Sequence, residues 1–190
     1  MKIKPIACFA TFIFVATFLV DCAATSTKGD VSAMTTEQSS AAQTQQQERA
    51  RNRAIVEAFF DRLEAMDIAG FVQLFDENGV QEMPYSPNGF PKELRGRAAI
   101  QKQYGGLPQN FNSMKFINRI WHETVNPEKF VVEYKGVIDV KNGKPYNNDY
   151  IGVFELKNGK IVKYSEYFNP LILQEAFGKD LQQNFNVIPN

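Results

Sequence analysis

YNNDYIGVFELKNGKIVKYSEYFNP, residues 146–170, decides the architecture. It reads as two strands joined at Asn158-Gly159. Asn-Gly is the strongest short hairpin signal, because both central residues of the tight turn must take positive φ. Side chains alternate along a strand, so Val162, Tyr164, Glu166 and Phe168 fall on one face of the second strand. One carboxylate thus stands in an apolar and aromatic row, a setting that is either costly or useful. Asn148 and Tyr150 share a face of the first strand, and Asp149 points the other way.

Outward from this hairpin, residues 114–124 and 130–140 read as two further strands. Phe130, Val132, Tyr134, Gly136 and Ile138 share one face of the latter, and Asn142-Gly143 is a second turn. Toward the N-terminus, Ile55, Val56, Phe59, Phe60, Leu63 and Met66 recur at helical spacing and predict an amphipathic helix over 49–66. Asp67 caps a second short helix over 68–75, ended by Asn78-Gly79. Residues 80–85 form a short strand. Pro84, Pro87, Gly89 and Pro91 make a loop. A third helix covers 97–104 and stops at Gly105-Gly106, and a short helix covers 171–177. Helices followed by an antiparallel meander give an α+β domain. Sixteen Phe and seven Tyr fit either an aromatic-lined concavity or a well-filled aromatic core.

Residues 1–24 have the form of a secretory signal: Lys2 and Lys4 precede an uncharged, mostly apolar run over 6–20, short for a membrane span. An uncleaved anchor is the other reading of this run. Two processing readings stay open. Residues 19–22, Leu-Val-Asp-Cys, loosely match a lipobox that would lipidate Cys22, although Asp21 is a poor match; alternatively, cleavage follows Cys22-Ala23-Ala24. Residues 25–48 are rich in Ser, Thr, Gln and Ala and read as a flexible tether whose last residues join the first helix. The folded domain is expected over 49–178, with a tail over 179–190. The expected location is therefore secreted or periplasmic, with membrane contact only through the leader or a Cys22 lipid.

Cys8 and Cys22 are the only cysteines, so the body has no disulfide framework and no cysteine-based metal site. The 190-residue chain carries 21 basic and 21 acidic residues. Without Lys2, Lys4 and Asp21 the balance is 19 against 20, which gives no electrostatic footprint for nucleic acid. There is no P-loop, G-x-G-x-x-G or G-x-S-x-G pattern, and no cofactor or metal is expected.

The element order resembles the NTF2-like superfamily, and within it SnoaL-like and phenazine-biosynthesis A/B-type proteins. The resemblance spans residues 52–178. Its most specific parts are Phe154-Glu155-Leu156, Gly159-Lys160-Ile161 and Glu166-Tyr167-Phe168-Asn169-Pro170, and looser ones are residues 52–60, residues 96–100, Asn126-Pro127 and Val132-Glu133. It implies a cone-shaped α+β barrel: N-terminal helices pack on a curved antiparallel sheet around a ligand cavity, with homodimers formed through the outer sheet face. Family alone leaves function open, because the superfamily contains enzymes and non-catalytic binding modules.

Glu166 matches a glutamate that the phenazine-type proteins use as an acid/base, and burial would raise its pKa toward neutrality. Asn148 matches an asparagine of the same proteins. Asn148, Tyr150, Tyr164, Glu82 and Phe59 are the candidate ligand-binding residues. A steroid-isomerase mechanism is disfavoured, since Met83 rather than an aspartate precedes Pro84 and Ala58-Phe59-Phe60 holds no tyrosine. The phenazine-type pocket histidine is also unmatched: Gln101, Gln103 and Tyr104 stand there, and the lone His122 reads as a strand-surface residue. Three functions remain: an exported module binding a small apolar or aromatic molecule, an isomerase, cyclase or dehydratase using Glu166, or a tethered dimeric scaffold.

Overall fold

The computed structural model describes residues 28–141, 143–179 and 181, with side chains from residue 38 onward. The leader, the residues around Cys22, Asn142 and most of the tail lie outside these residues. The chain divides into two compact units, residues 1–37 and 38–190.

Helix α1 runs Lys28–Glu64, so most of the stretch read as a tether is helical. Its Ala, Gln, Glu and Met residues are good helix formers even without an apolar face, and residues 38–47 are exposed. Burial begins at Asn52 and Val56, where apolar periodicity begins. The helix stops two residues before Met66, whose φ of 53° reverses the chain. Asp67 caps α2 (Ile68–Gln73), its side chain accepting from the Gly70 N–H at 2.9 Å.

Strand β1 (Phe75–Glu82) starts earlier than the sequence suggests. Asn78-Gly79 does not end a helix. It lies inside β1, where the register against β6 shifts between Phe75 and Val80. A Cβ on Gly79 would sit 2.9 Å from the Ile161 carbonyl, so glycine permits the close approach. After the proline loop, β2 (Glu93–Arg95) adds an edge strand. Next come α3 (Gly96–Tyr104) and the single turn α4 (Leu107–Asn110). The meander is β3 (Phe111–Glu123), β4 (Lys129–Val140), β5 (Tyr146–Lys157) and β6 (Lys160–Phe168), followed by α5 (Pro170–Phe177).

The six strands form one sheet in the order β2-β1-β6-β5-β4-β3, antiparallel except for β1 against β6. Its edges, β2 and β3, are not joined, so the cone is an open curved sheet under helices. Among the described residues no helix is long and apolar enough to cross a membrane.

Two bulges set which side chains enter the concave side. In β3 the register shifts between Ile117 and Ile120, with Asn118 at φ 55°. The shift turns Arg119 inward, 4.5 Å over the Phe60 ring and 2.7 Å from Glu64. Glu64 also accepts from the Phe116 N–H and the Lys115 ammonium, tying the end of α1 to β3. Burial alone would raise the Glu64 carboxyl, but these donors and cations outweigh it and lower its pKa.

In β6 the pairs Glu155↔Lys163 and Leu156↔Ile161 leave Val162 as the extra residue. Strict alternation therefore fails there: fully buried Ile161, not Val162, joins Tyr164 on the inner face. The Asn158-Gly159 turn has φ of 51° and 72°, as its dipeptide requires.

Candidate functional site

A cavity of about 80 Å³ opens between the concave sheet, α3, α5 and the β1–β2 loop. Its apolar wall includes Leu63, Met83, Phe90, Phe116, Phe168 and Leu173. The polar atoms come from Gln103, Tyr104, Tyr146, Tyr150 and Glu166.

Glu166 enters this wall because β6 alternates Tyr164, Glu166 and Phe168 inward. The Tyr164 hydroxyl donates to its Oε1 at 2.9 Å, and the Tyr134 hydroxyl lies 3.2 Å from the same atom. The two phenols are 2.7 Å apart. Three close contacts thus share two phenolic protons. A proton on Glu166 would supply the third, so this triangle is fully bonded when the carboxyl is neutral. Gln81 Nε2 approaches Oε2 at 3.4 Å and donates to the Tyr104 hydroxyl at 2.7 Å.

Glu166 is half-buried by area because it borders the cavity, yet protein surrounds its carboxyl closely enough that desolvation dominates. Desolvation raises its pKa, while the bonds from Tyr164, Tyr134 and Gln81 pull in the opposite direction. The surrounding phenols respond in kind. Burial first, and the Glu166 charge second, push Tyr104 and Tyr164 well above the usual phenol value. Burial pushes Tyr146 up to about 12. All five tyrosines of this cluster, including Tyr134 and Tyr150, therefore stay protonated and available as donors.

This shift has a consequence for stability. Between the ordinary glutamate pKa and the raised one, the folded state holds a proton that the unfolded chain has lost. Stability from this group then falls as pH rises through that window and is level above it. Glu166→Gln is expected to gain stability over the wild type at about pH 8 and to match it at about pH 3, as read by denaturant unfolding at the two pH values.

The other candidates divide. Tyr150 lines the cavity, its ring stacked on Tyr134 with centroids 5.0 Å apart. A Cβ on Gly136 would meet that ring at 2.9 Å, so glycine makes room for it. Tyr164 is buried behind Glu166, stacked on Phe154. Asn148 faces inward, but its amide is consumed: Nδ2 donates to the Tyr146 hydroxyl and the Asn169 carbonyl, and Oδ1 accepts from the Asn169 N–H. It clamps β5 to the start of α5 and orients Tyr146. Phe59 lies in the core against Phe71, Phe154 and Tyr164 and does not border the cavity. Glu82 is on the outer face, bonded to Ser165 and Lys163, because the inward phase of β1 is Gly79, Gln81, Met83. His122 is exposed and pairs with Glu133 at 2.7 Å.

Sequence reasoning missed Gln81, Tyr104 and Tyr146 as site residues. Anchoring the β1 alternation on Met83 instead of Val80 would have found Gln81. Tyr146 lies on the same strand face as Asn148 and Tyr150. Tyr104 is the last residue of α3, where periodicity gives little direction.

Residues 56–164 match the family model of the SnoaL-like domain. An uncharacterised Bacillus subtilis protein, YesE, is 34% identical over 119 residues, covering 62% of this chain and 80% of that one. An uncharacterised PhzA/B-like protein of Pseudomonas aeruginosa is 34% identical over 118 residues, covering 61% and 82%. Among solved structures, a candidate isomerase from Bacillus subtilis superposes with a TM-score of 0.65 at 31% identity, covering 70% of this chain and 96% of that one.

Proposed function

This chain belongs to the SnoaL-like family, within the NTF2-like superfamily, and we propose that it binds a small ring-bearing carbonyl compound in its cavity and moves a proton on it with Glu166. The observation that carries the reading is the Glu166 carboxyl in an apolar cavity wall, hydrogen-bonded to Tyr164 and next to Tyr134. An ionised Glu166 would take hydrogen from the carbon beside the carbonyl; the C–H electron pair moves into a new C=C bond and the carbonyl oxygen becomes an enolate. Tyr104 accepts from Gln81, which leaves its own O–H free to donate to that oxygen. The neutral Glu166 then returns the proton to another atom of the ligand, the net step of an isomerase; in a dehydratase the proton goes to a β-hydroxyl that leaves as water as its C–O bond breaks, and in a cyclase to the alkoxide formed when the enolate carbon bonds to a second carbonyl carbon. Membership in a family with a relative described as a candidate isomerase supports this class.

Size limits the ligand. A cavity of about 150 Å³ suffices for benzene, so at about 80 Å³ this one limits the ligand to no more than a single ring, with half-buried Phe90 as the wall residue that must yield to it. A second reading, binding without turnover, is favoured by the position of His122: the only histidine stands outside the cavity, leaving Glu166 as the one proton carrier.

Export through residues 1–24 and dimerisation belong to the same proposal. The outer sheet face carries exposed Ile120 and Ile151 in one cross-strand row with Glu133 and Tyr167, a surface that suits a second copy. Native mass spectrometry of the protein purified without detergent from its own host tests all three. The expected result is a dimer mass with an N-terminus at residue 25 and an added small-molecule mass. A monomer with an intact leader and an empty cavity would overturn the proposal, and a lipid mass on Cys22 would replace free export with anchoring.

A further inference from the structure

Helix α3 turns Ile100 and Gln103 into the protein, three residues apart on one face. Ile100 is fully buried and Gln103 is 7% exposed. An apolar residue would pack at either position, yet the second is an amide in the cavity wall. Its Oε1 is sealed from solvent and has no hydrogen-bond partner. Buried polar atoms are bonded in nearly all native proteins, and the exceptions call for an explanation.

The remaining polar groups of the cavity have a definite polarity. Tyr104 accepts from Gln81, and Tyr146 accepts from Asn148. Tyr104 therefore keeps its own O–H for a ligand. Gln103 supplies the complementary unused group, an acceptor. Resting on the ligand-binding reading above, we propose that Gln103 is the specificity-determining residue of the cavity: its amide oxygen accepts from a hydroxyl or amino group on a ring whose carbonyl oxygen is held by the free hydroxyl of Tyr104. The ligand class is a single ring carrying one carbonyl and one donor group. A purely apolar ring would leave both polar side chains unused.

The test compares cyclohexanone, 3-fluorocyclohexanone and 3-hydroxycyclohexanone binding to the full chain by isothermal titration calorimetry. The hydroxy compound should bind about tenfold more tightly than cyclohexanone, the size of one net hydrogen bond. The fluoro compound, similar in size but without a donor, should bind like cyclohexanone. Gln103→Met keeps length and helix propensity and removes the acceptor. It should erase the preference of the hydroxy compound over cyclohexanone and keep or raise the melting temperature of the free protein, whereas a merely structural glutamine would lose stability. Equal binding of the three probes to the wild type, or a preference retained in Gln103→Met, overturns the proposal while the cavity stands as a ligand site. Failure of every probe to bind overturns the ligand-binding reading and the proposal with it. The wild-type comparison needs no variant, so it decides even if Gln103→Met does not fold.

Discussion

Glu166→Gln is expected to lower the rate at which the protein exchanges the α-hydrogens of cyclohexanone for deuterium by about 10²–10⁴-fold, the usual share of a positioned acid/base. The substitution keeps the shape of the side chain, and the amide oxygen can still accept from Tyr164. What it removes is the site that takes the proton from carbon. Cyclohexanone affinity should therefore change only modestly, and the loss should fall on the rate of exchange. Exchange followed by proton NMR in deuterated buffer separates the two quantities. An unchanged rate would remove Glu166 as the proton carrier and favour binding without turnover.

The second large effect is on stability. Phe59→Ala is expected to cost about 3–5 kcal/mol, the range for deleting a buried aromatic ring. Phe59 is 1% exposed, and its ring centroid lies 4.8–5.3 Å from those of Phe60, Phe71, Phe154 and Tyr164. It joins α1 to α2 and to the β5–β6 hairpin, so no single neighbour can fill the void. Denaturant unfolding reads the loss. A cost below about 1 kcal/mol would mean that the ring is not part of the core, and that its candidacy as a cavity residue should be reopened.

The hairpin was legible because Asn158-Gly159 permits one tight turn and the strands beside it alternate strongly. The cap of α2 was legible because Asp67 precedes an apolar run. The β6 bulge was not: Ile161 and Val162 are both β-branched and apolar, and nothing local says which one the ladder extrudes. The inward phase of β1 was hidden for a related reason. Apolar Val80 lies on the outer side and polar Gln81 is wholly buried, an inversion that only contact with Tyr104 and Glu166 explains.

Helix α1 shows the opposite failure. Low apolar content argued for a tether, but backbone propensity alone carries the helix back to Lys28. Alternation placed the side chains of Glu166, Asn148 and Tyr150 on the concave side, where the structure has them. Alternation gives a side chain's direction but not its occupation, and Asn148 is spent on the backbone of Asn169. The polarity of the phenol cluster depends on contacts between strands far apart in sequence, such as Gln81 with Glu166, and no single stretch of chain encodes it.

A cavity carboxyl poised to exchange protons is read by following the ¹³C resonance of the Glu166 side-chain carboxyl against pH in the full chain. The midpoint should lie above the ordinary glutamate value and move higher still in Tyr164→Phe, since the phenol donor is one of the groups holding it down. A midpoint at the ordinary value, unmoved by Tyr164→Phe, would mean that the carboxyl is hydrated and uncoupled from the phenols, and would contradict the account.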